Sequence, residues 1–199
     1  MCGFNAYFGT LLLTMKIRAY KSTDAEAILS IYAPFIIAGP VTFETDVPAL
    51  SDFQRRLSAI AENFPFFVLE EDGQIQGYAY ASKYRERAAY RWHVETSIYM
   101  HESARGKGRG LLLYRKLLNE LTRRKFTRAY AIVGLPNEPS EQFHRNCGFL
   151  PLVTHTQAGW KQGKWRDVLW LTKELHPAEN PPQEPEFGPL NTETAYPAD

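Results

Sequence analysis

The run Thr96-Ser97-Ile98-Tyr99-Met100-His101-Glu102-Ser103-Ala104-Arg105-Gly106-Lys107-Gly108-Arg109-Gly110 leads straight into Leu111-Leu112-Leu113. Its opening residues are β-branched, aromatic or apolar and read as the end of a strand over 94–100. After the glycines, Leu113, Tyr114, Leu117, Leu118 and Leu121 recur at helical spacing. A strand therefore passes through a glycine-rich turn into a helix N-terminus. Glycine lets backbone N–H groups approach an anion closely, and the start of a helix favours negative charge. Arg105, Lys107 and Arg109 add positive charge, so the segment reads as a pyrophosphate site. Spacing narrows the choice. A dinucleotide fingerprint would put a third glycine at position 111, which is Leu111, and a Walker A loop would need Gly-Lys-Ser/Thr, which is absent.

The flanking sequence alternates strand and helix patterns. Residues 16–20 read as a strand, and Ser22 or Thr23 caps a helix whose apolar stripe is Ala27, Ile28, Ile31 and Tyr32, interrupted by Pro34. A second helix is expected over 50–60, from Phe53, Leu57 and Ile60. Strands at 66–70 and 75–81 flank an Asp72-Gly73 turn. The leucine helix should run over 111–124, with a strand at 129–133 and a short helix at 140–146 ended by Gly148. Residues 150–156 and 165–171 form a last hairpin. This is an α/β layer fold with a mixed sheet.

The chain has 199 residues, enough for one domain, with 44% apolar and 23% charged residues, a globular composition. Lys plus Arg is 23 and Asp plus Glu is 22, a balance unlike that of a chain built to neutralise nucleic-acid phosphates. Cys2 and Cys147 make no disulfide framework and fit a reducing compartment, so the cytoplasm is expected. No run is long and apolar enough to span a bilayer, and no partner membrane is expected. Residues 1–14 carry no charge and precede Met15-Lys16-Ile17-Arg18, which reads as a second start, so they are set apart as an N-terminal extension. Residues 176–199 hold five acids, six prolines and no Lys or Arg; they are expected to be a disordered or extended, solvated tail. The domain is then 15–175.

What stands at the glycine turn is Arg-x-x-Gly-x-Gly, from Arg105 through Gly108 to Gly110. It resembles the acetyl-CoA signature of the GNAT superfamily. Further segments resemble one branch of it: Thr42-Phe43-Glu44, Tyr90-Arg91, Val94-Glu95, the run from Gly134 to Ser140, His144, Gly148-Phe149 and the run from Gly159 to Val168. These are similar to the phosphinothricin and methionine sulfoximine N-acetyltransferases. The resemblance covers 15–175. It implies a GNAT fold, a mostly antiparallel mixed sheet flanked by helices on both faces. It also implies acetyl transfer from acetyl-CoA, as co-substrate, to the α-amine of an amino-acid analogue, a homodimer, and no metal.

Residue roles follow in the same terms. Backbone at Ile98, Tyr99 and Met100 would hold the pantetheine arm, and the loop Arg105, Gly106, Lys107, Gly108, Arg109, Gly110 the pyrophosphate. The resemblance puts Asn137 on the pantetheine, with Ser140 beside it; a turn-forming role for Asn137 next to Pro136 is compatible. Glu95 begins the central strand in apolar surroundings, and a half-desolvated carboxylate is a competent base. The competing reading is a structural partner for Arg87 or Arg91. The resemblance makes His144 the candidate acid for the leaving thiolate, against a packing role in its short helix. Arg85 and Arg87, at i and i+2, would share one face if extended and could grip a carboxylate and a tetrahedral oxyanion; the alternative is two solvated arginines. Phe35, Phe43 and Tyr90 would wall the pocket. Ala33, where many relatives have Asn, and Trp92-His93 depart from the branch pattern.

Other acceptors, a polyamine, an aminoglycoside or a protein N-terminus, keep the fold and the donor. Cationic acceptors want an acidic pocket, which the arginine-rich segment 85–91 argues against. A non-catalytic CoA-binding module would be expected to lack groups such as Glu95 and His144, and a nucleic-acid binder has no reader motif here.

Overall fold

The computed structural model describes residues 15–190. Strand β1 (Met15–Ala19) leads through a single turn into α1 (Ala25–Ala38) and α2 (Leu50–Ala61). Then come β2 (Phe66–Glu71), β3 (Gln74–Lys83), β4 (His93–Met100), α3 (Arg109–Arg123), β5 (Arg128–Gly134), α4 (Glu138–Asn146), β6 (Leu150–Lys161) and β7 (Lys164–Glu174). The strands form one sheet in the order β1-β2-β3-β4-β5-β7-β6. Every neighbouring pair is antiparallel except β4 and β5. That parallel pair needs a crossover, and α3 supplies it.

Two apolar layers fix the sheet between helices. On one face, Ile28, Ile31, Tyr32 and Ile36 of α1 and Phe53 and Leu57 of α2 pack on Phe66, Val68 and Tyr78. On the other, Leu113, Leu117 and Leu121 of α3 pack with Phe67, Ala79, Val94, Ala129 and Leu171. Alternation along the strands sends their side chains to these two layers in turn. Asp72 and Gly73 take φ of 50° and 78°, the left-handed pair that a tight hairpin between β2 and β3 requires.

Several expectations change. Neither Ser22 nor Thr23 caps α1, which begins at Ala25 after a 3-10 turn over Ser22–Asp24. Pro34 does not end α1, which continues to Ala38; the stripe of Ile28, Ile31, Tyr32 and Ile36 is buried on both sides of it, and that burial outweighs the one lost backbone bond. Helix α3 begins two residues before the expected start, because Gly108 at φ 75° turns the chain into it. Residues 176–190 are not a solvated appendage. They form no helix or strand but lie against the domain. Glu184 pairs with Arg91 at 2.7 Å, Trp92 Nε1 donates to the Gln183 carbonyl at 2.8 Å, Phe187 stands edge-on to Phe64 and Phe126, and Leu190 is buried. Proline prevented regular structure there without preventing docking. The extension 1–14, with Cys2, and residues 191–199 lie outside the described residues.

Candidate active site

Strands β4 and β5 pair only from His93 to Glu95 against Arg128 to Tyr130. Beyond that point the β4 ladder pairs with β3 alone and the β5 ladder with β7 alone. Two strands that share three rungs and then part leave a wedge with backbone donors and acceptors along its walls. Thr96 stands at the apex. Its hydroxyl donates to the Tyr130 carbonyl at 3.0 Å and so accepts from Tyr114 OH at 2.7 Å. Ser97, Ile98 and Tyr99 line one wall, Ile132 and Val133 the other, and Asn137, Ser140 and His144 close the end. An extended chain carrying amides could pair with the free edge of β4 as an added strand would.

The glycine loop lies at the mouth of this wedge. Gly106 and Gly108 both hold positive φ, 73° and 75°, and no side chain caps the start of α3. Its first N–H groups are left for an anion. The cations are not equivalent. Arg105 donates from Nε to the Met100 carbonyl at 3.1 Å, so that carbonyl is taken, and its guanidinium lies 4.9 Å from the Phe35 ring centre. Arg109 is tied to Glu71 in an ion pair. Lys107 is exposed. Phe35 also stands edge-on to Tyr99 at 5.2 Å, beside the mouth of the wedge.

Glu95 and His144 reach the wedge from opposite faces. Val94, Thr96 and Ile98 point to the α3 layer, so Glu95, Ser97 and Tyr99 point to the α1 layer. Burial raises the Glu95 pKa above the ordinary carboxylate value, opposed in part by the Arg85 charge. His144 is 5% exposed and packs edge-on to Tyr114, Phe143 and Phe149 on the α3 side. Its Nδ1 lies 2.8 Å from the Ser140 carbonyl, which can only accept, so Nδ1 carries the proton and Nε2 the lone pair. Burial lowers its pKa, keeping the ring neutral at pH 7. In that state it takes a proton before it can give one. Asn137 caps α4, its Oδ1 accepting from Ser140 N at 3.4 Å, while it also lines the wedge.

On the α1 side, the helices cover the β1–β4 half of the sheet and leave part of β5 and β7 bare. Ile132 is 39% exposed there. Phe43 bounds this floor at one end, its ring against Gly159, where a β carbon would stand 2.2 Å from it; at Gly134 a β carbon would meet the Pro40 carbonyl first, at 2.0 Å. At the other end Tyr84 stacks on Tyr130 at 4.3 Å, and Arg85 lies over Tyr84 and Trp170 at 4.9 and 5.3 Å. The Arg85 charge lies close enough to Glu95 to oppose the rise in its pKa. The segment after β3 bends instead of extending, and Arg87 sits at the start of the 3-10 turn at Ala88–Tyr90. Bends at residues 84, 86 and 87 break the extended chain, so the condition of the i, i+2 argument is not met. Tyr90 is exposed and touches the site only through Tyr84, edge-on at 6.0 Å. Tyr84 and Trp170, which sequence reasoning left out, carry Arg85; an aromatic one position before an arginine was the available signal. Among the described residues, no group of three or more His, Cys, Asp or Glu is placed to hold a metal ion.

A wedge with an uncapped helix start at its mouth and a half-buried carboxylate at the last rung before it fits an acyltransferase that uses a carrier thioester. The acetyltransferase (GNAT) domain matches residues 17–170, and the chain belongs to that family. It is 31% identical over 172 residues to the phosphinothricin N-acetyltransferase of Streptomyces viridochromogenes, covering 86% of this chain and 94% of that protein. It is 30% identical over 166 residues to the L-methionine sulfoximine/L-methionine sulfone acetyltransferase of Salmonella typhimurium, covering 81% and 95%. The solved phosphinothricin acetyltransferase of Sinorhizobium meliloti in complex with acetyl-CoA is similar with a TM-score of 0.78 and 32% identity, over 93% of this chain and 97% of that one. The protein is an N-acetyltransferase with the GNAT fold.

Proposed function

We propose that the protein transfers acetyl from acetyl-CoA to the α-amine of a small L-amino-acid analogue with a tetrahedral phosphinate, sulfoximine or sulfone end. The observation that carries this reading is Arg85, held over Tyr84 and Trp170 close to Glu95 on the bare floor of β5 and β7. A guanidinium at that place suits an acceptor with an oxygen-rich end and repels a polycation. The names of the relatives point to the same substrates.

The residues fit acetyl-CoA. The pantetheine amides would pair with the free edge of β4 at Ile98 and Tyr99, and the pyrophosphate would sit on the N–H groups after Gly106 and Gly108. Glu95 then takes a proton from the acceptor ammonium, directly or through water. The free amine attacks the thioester carbonyl, the tetrahedral oxyanion collapses, and the C–S bond breaks. His144, neutral with its Nε2 free, takes the second amine proton from the tetrahedral intermediate through water and returns it to the departing thiolate, while Glu95 passes its own proton to solvent.

The catalytic unit is 15–175, and it works as a homodimer in the cytoplasm. Support for the dimer comes from β6, an edge strand of twelve residues with Leu150 at 69% exposure and Leu152, Val153 and Trp160 also exposed. Such an edge is a template for pairing with another chain. Among the described residues, no helix is long and apolar enough to cross a membrane. Thiol release from acetyl-CoA with methionine sulfone, methionine sulfoximine, phosphinothricin, spermidine and kanamycin tests the acceptor. Faster turnover of spermidine or kanamycin than of all three analogues overturns it.

A further inference from the structure

The loop between α1 and α2 passes over the acceptor floor, and one hairpin tip holds it. Thr42 in that loop is 8% exposed. Its hydroxyl shares a hydrogen with Tyr32 OH at 2.6 Å and accepts from the Glu44 backbone N–H at 3.3 Å. Its carbonyl accepts from Lys161 Nζ at 2.7 Å, across 119 positions of chain. Lys161 is the last residue of β6 and only 3% exposed. Next to it, Gln162 Nε2 donates to the Ile37 carbonyl at 2.7 Å, at the end of α1. Two positions back, a β carbon on Gly159 would stand 2.2 Å from the Phe43 ring, so glycine is what lets that ring seat.

The Lys161 ammonium is a poor choice if filling space were the only need. A buried cation is costly unless it is paired, and Arg166 nearby adds repulsion that Glu44 only partly relieves. What a charged donor adds is a strong, directed bond to one atom, and that atom lies between Val41, which borders the wedge, and Phe43, which bounds the floor. We infer that Lys161 is a positioning residue: it latches residues 39–45 over the acyl-transfer site, sets the reach of the acceptor pocket through Phe43, and keeps water from the thioester. The kinetic consequences rest on the acetyltransferase reading, whereas the latch itself does not.

The test uses the full chain with Lys161→Met, which keeps the length and loses the donor, and Lys161→Arg, which keeps a charged donor. Gln162→Ala is the safeguard, since Gln162 is exposed and its removal threatens no core. Hydrogen exchange over 39–45 should speed up in Lys161→Met by about 10-fold or more, the worth of a bond to a charged group, with β2 and β3 unchanged. The acceptor KM should rise by about the same factor, acetyl-CoA affinity should stay within about two-fold, and acceptor-independent thiol release should increase. Gln162→Ala should show the same pattern, smaller, and Lys161→Arg should recover most of the loss. Unchanged exchange at 39–45 in both Lys161→Met and Gln162→Ala overturns the latch. Faster exchange with an unchanged acceptor KM reduces Lys161 to a structural residue and overturns its positioning role. Should the unaltered protein acetylate no amine at all, the functional reading fails, and the exchange measurement still decides the latch.

Discussion

The hydroxyl of Thr96 donates to the carbonyl of Tyr130 at 3.0 Å, one position past the last backbone rung between β4 and β5. A side chain thus takes over where the ladder stops, and it marks the apex of the wedge. Thr96 is buried, and Tyr114 OH spends its own hydrogen on the same oxygen. Thr96→Val keeps the shape and leaves a carbonyl and a phenol without partners. It should cost about 1–3 kcal/mol, read as a lower urea midpoint, whereas Thr96→Ser should stay near the original.

Glu95 should titrate in the activity profile. Its pKa is raised by burial, so kcat/KM should climb with pH through a value above the ordinary carboxylate range and then level off. Arg85 holds that pKa down in part, and Arg85→Ala should move the acidic limb to higher pH. Glu95→Gln should lower turnover by about 10²- to 10⁴-fold with little change in acetyl-CoA affinity. Near-native turnover with an unshifted profile would remove Glu95 from catalysis. The stability sign runs the other way. A carboxyl whose folded pKa is raised stabilises below its unfolded pKa, and this is lost as pH rises through the folded value, so Glu95→Gln should melt higher than the parent at pH 7.

His144 has the opposite linkage. Its folded pKa is lowered, so its contribution is present above the unfolded value near 6.5 and fades as pH falls through the folded one. In His144→Gln the melting temperature should depend less on pH over this acid window. An equal pH dependence in both proteins would place the ring in a more solvated setting than the one described.

Arg85→Ala should lower kcat/KM for methionine sulfone by about 10- to 150-fold, the worth of one contact to a charged group. Arg87→Ala should do much less, because Arg87 starts a separate turn. An equal loss from both variants would show that the bend after β3 straightens when substrate binds.

Gly108→Val should weaken acetyl-CoA binding, measured by calorimetry. At φ 75° a branched side chain is strained, and its bulk would stand where the pyrophosphate meets the start of α3. Retained affinity in a folded variant would move the anion site elsewhere.

Much of this was legible in local patterns. Leu113, Leu117, Leu118 and Leu121 declare α3 by spacing, Asp72-Gly73 declares a hairpin, and Gly106 with Gly108 declares an anion-binding turn; each depends on neighbours in sequence. Errors arose where a local rule met tertiary burial. Pro34 stays inside α1 because its flanks are buried. The tail docks because Phe187 finds apolar partners at Phe64 and Phe126 and Leu190 joins the α3-side core.

By itself, then, the sequence determined the element order, the family, the glycine turn before α3 and the two titratable candidates, since short-range periodicity and a contiguous motif encode them. Only the tertiary structure decided that Arg85 lies over Tyr84 and Trp170, which ring nitrogen of His144 faces the Ser140 carbonyl, and that Lys161 reaches the Thr42 carbonyl. Those depend on pairs far apart in the chain: Arg85 with Trp170, Thr96 with Tyr130, Thr42 with Lys161. No spacing rule reaches across such separations, because distance along the chain says nothing of distance in space until the sheet has brought its strands together.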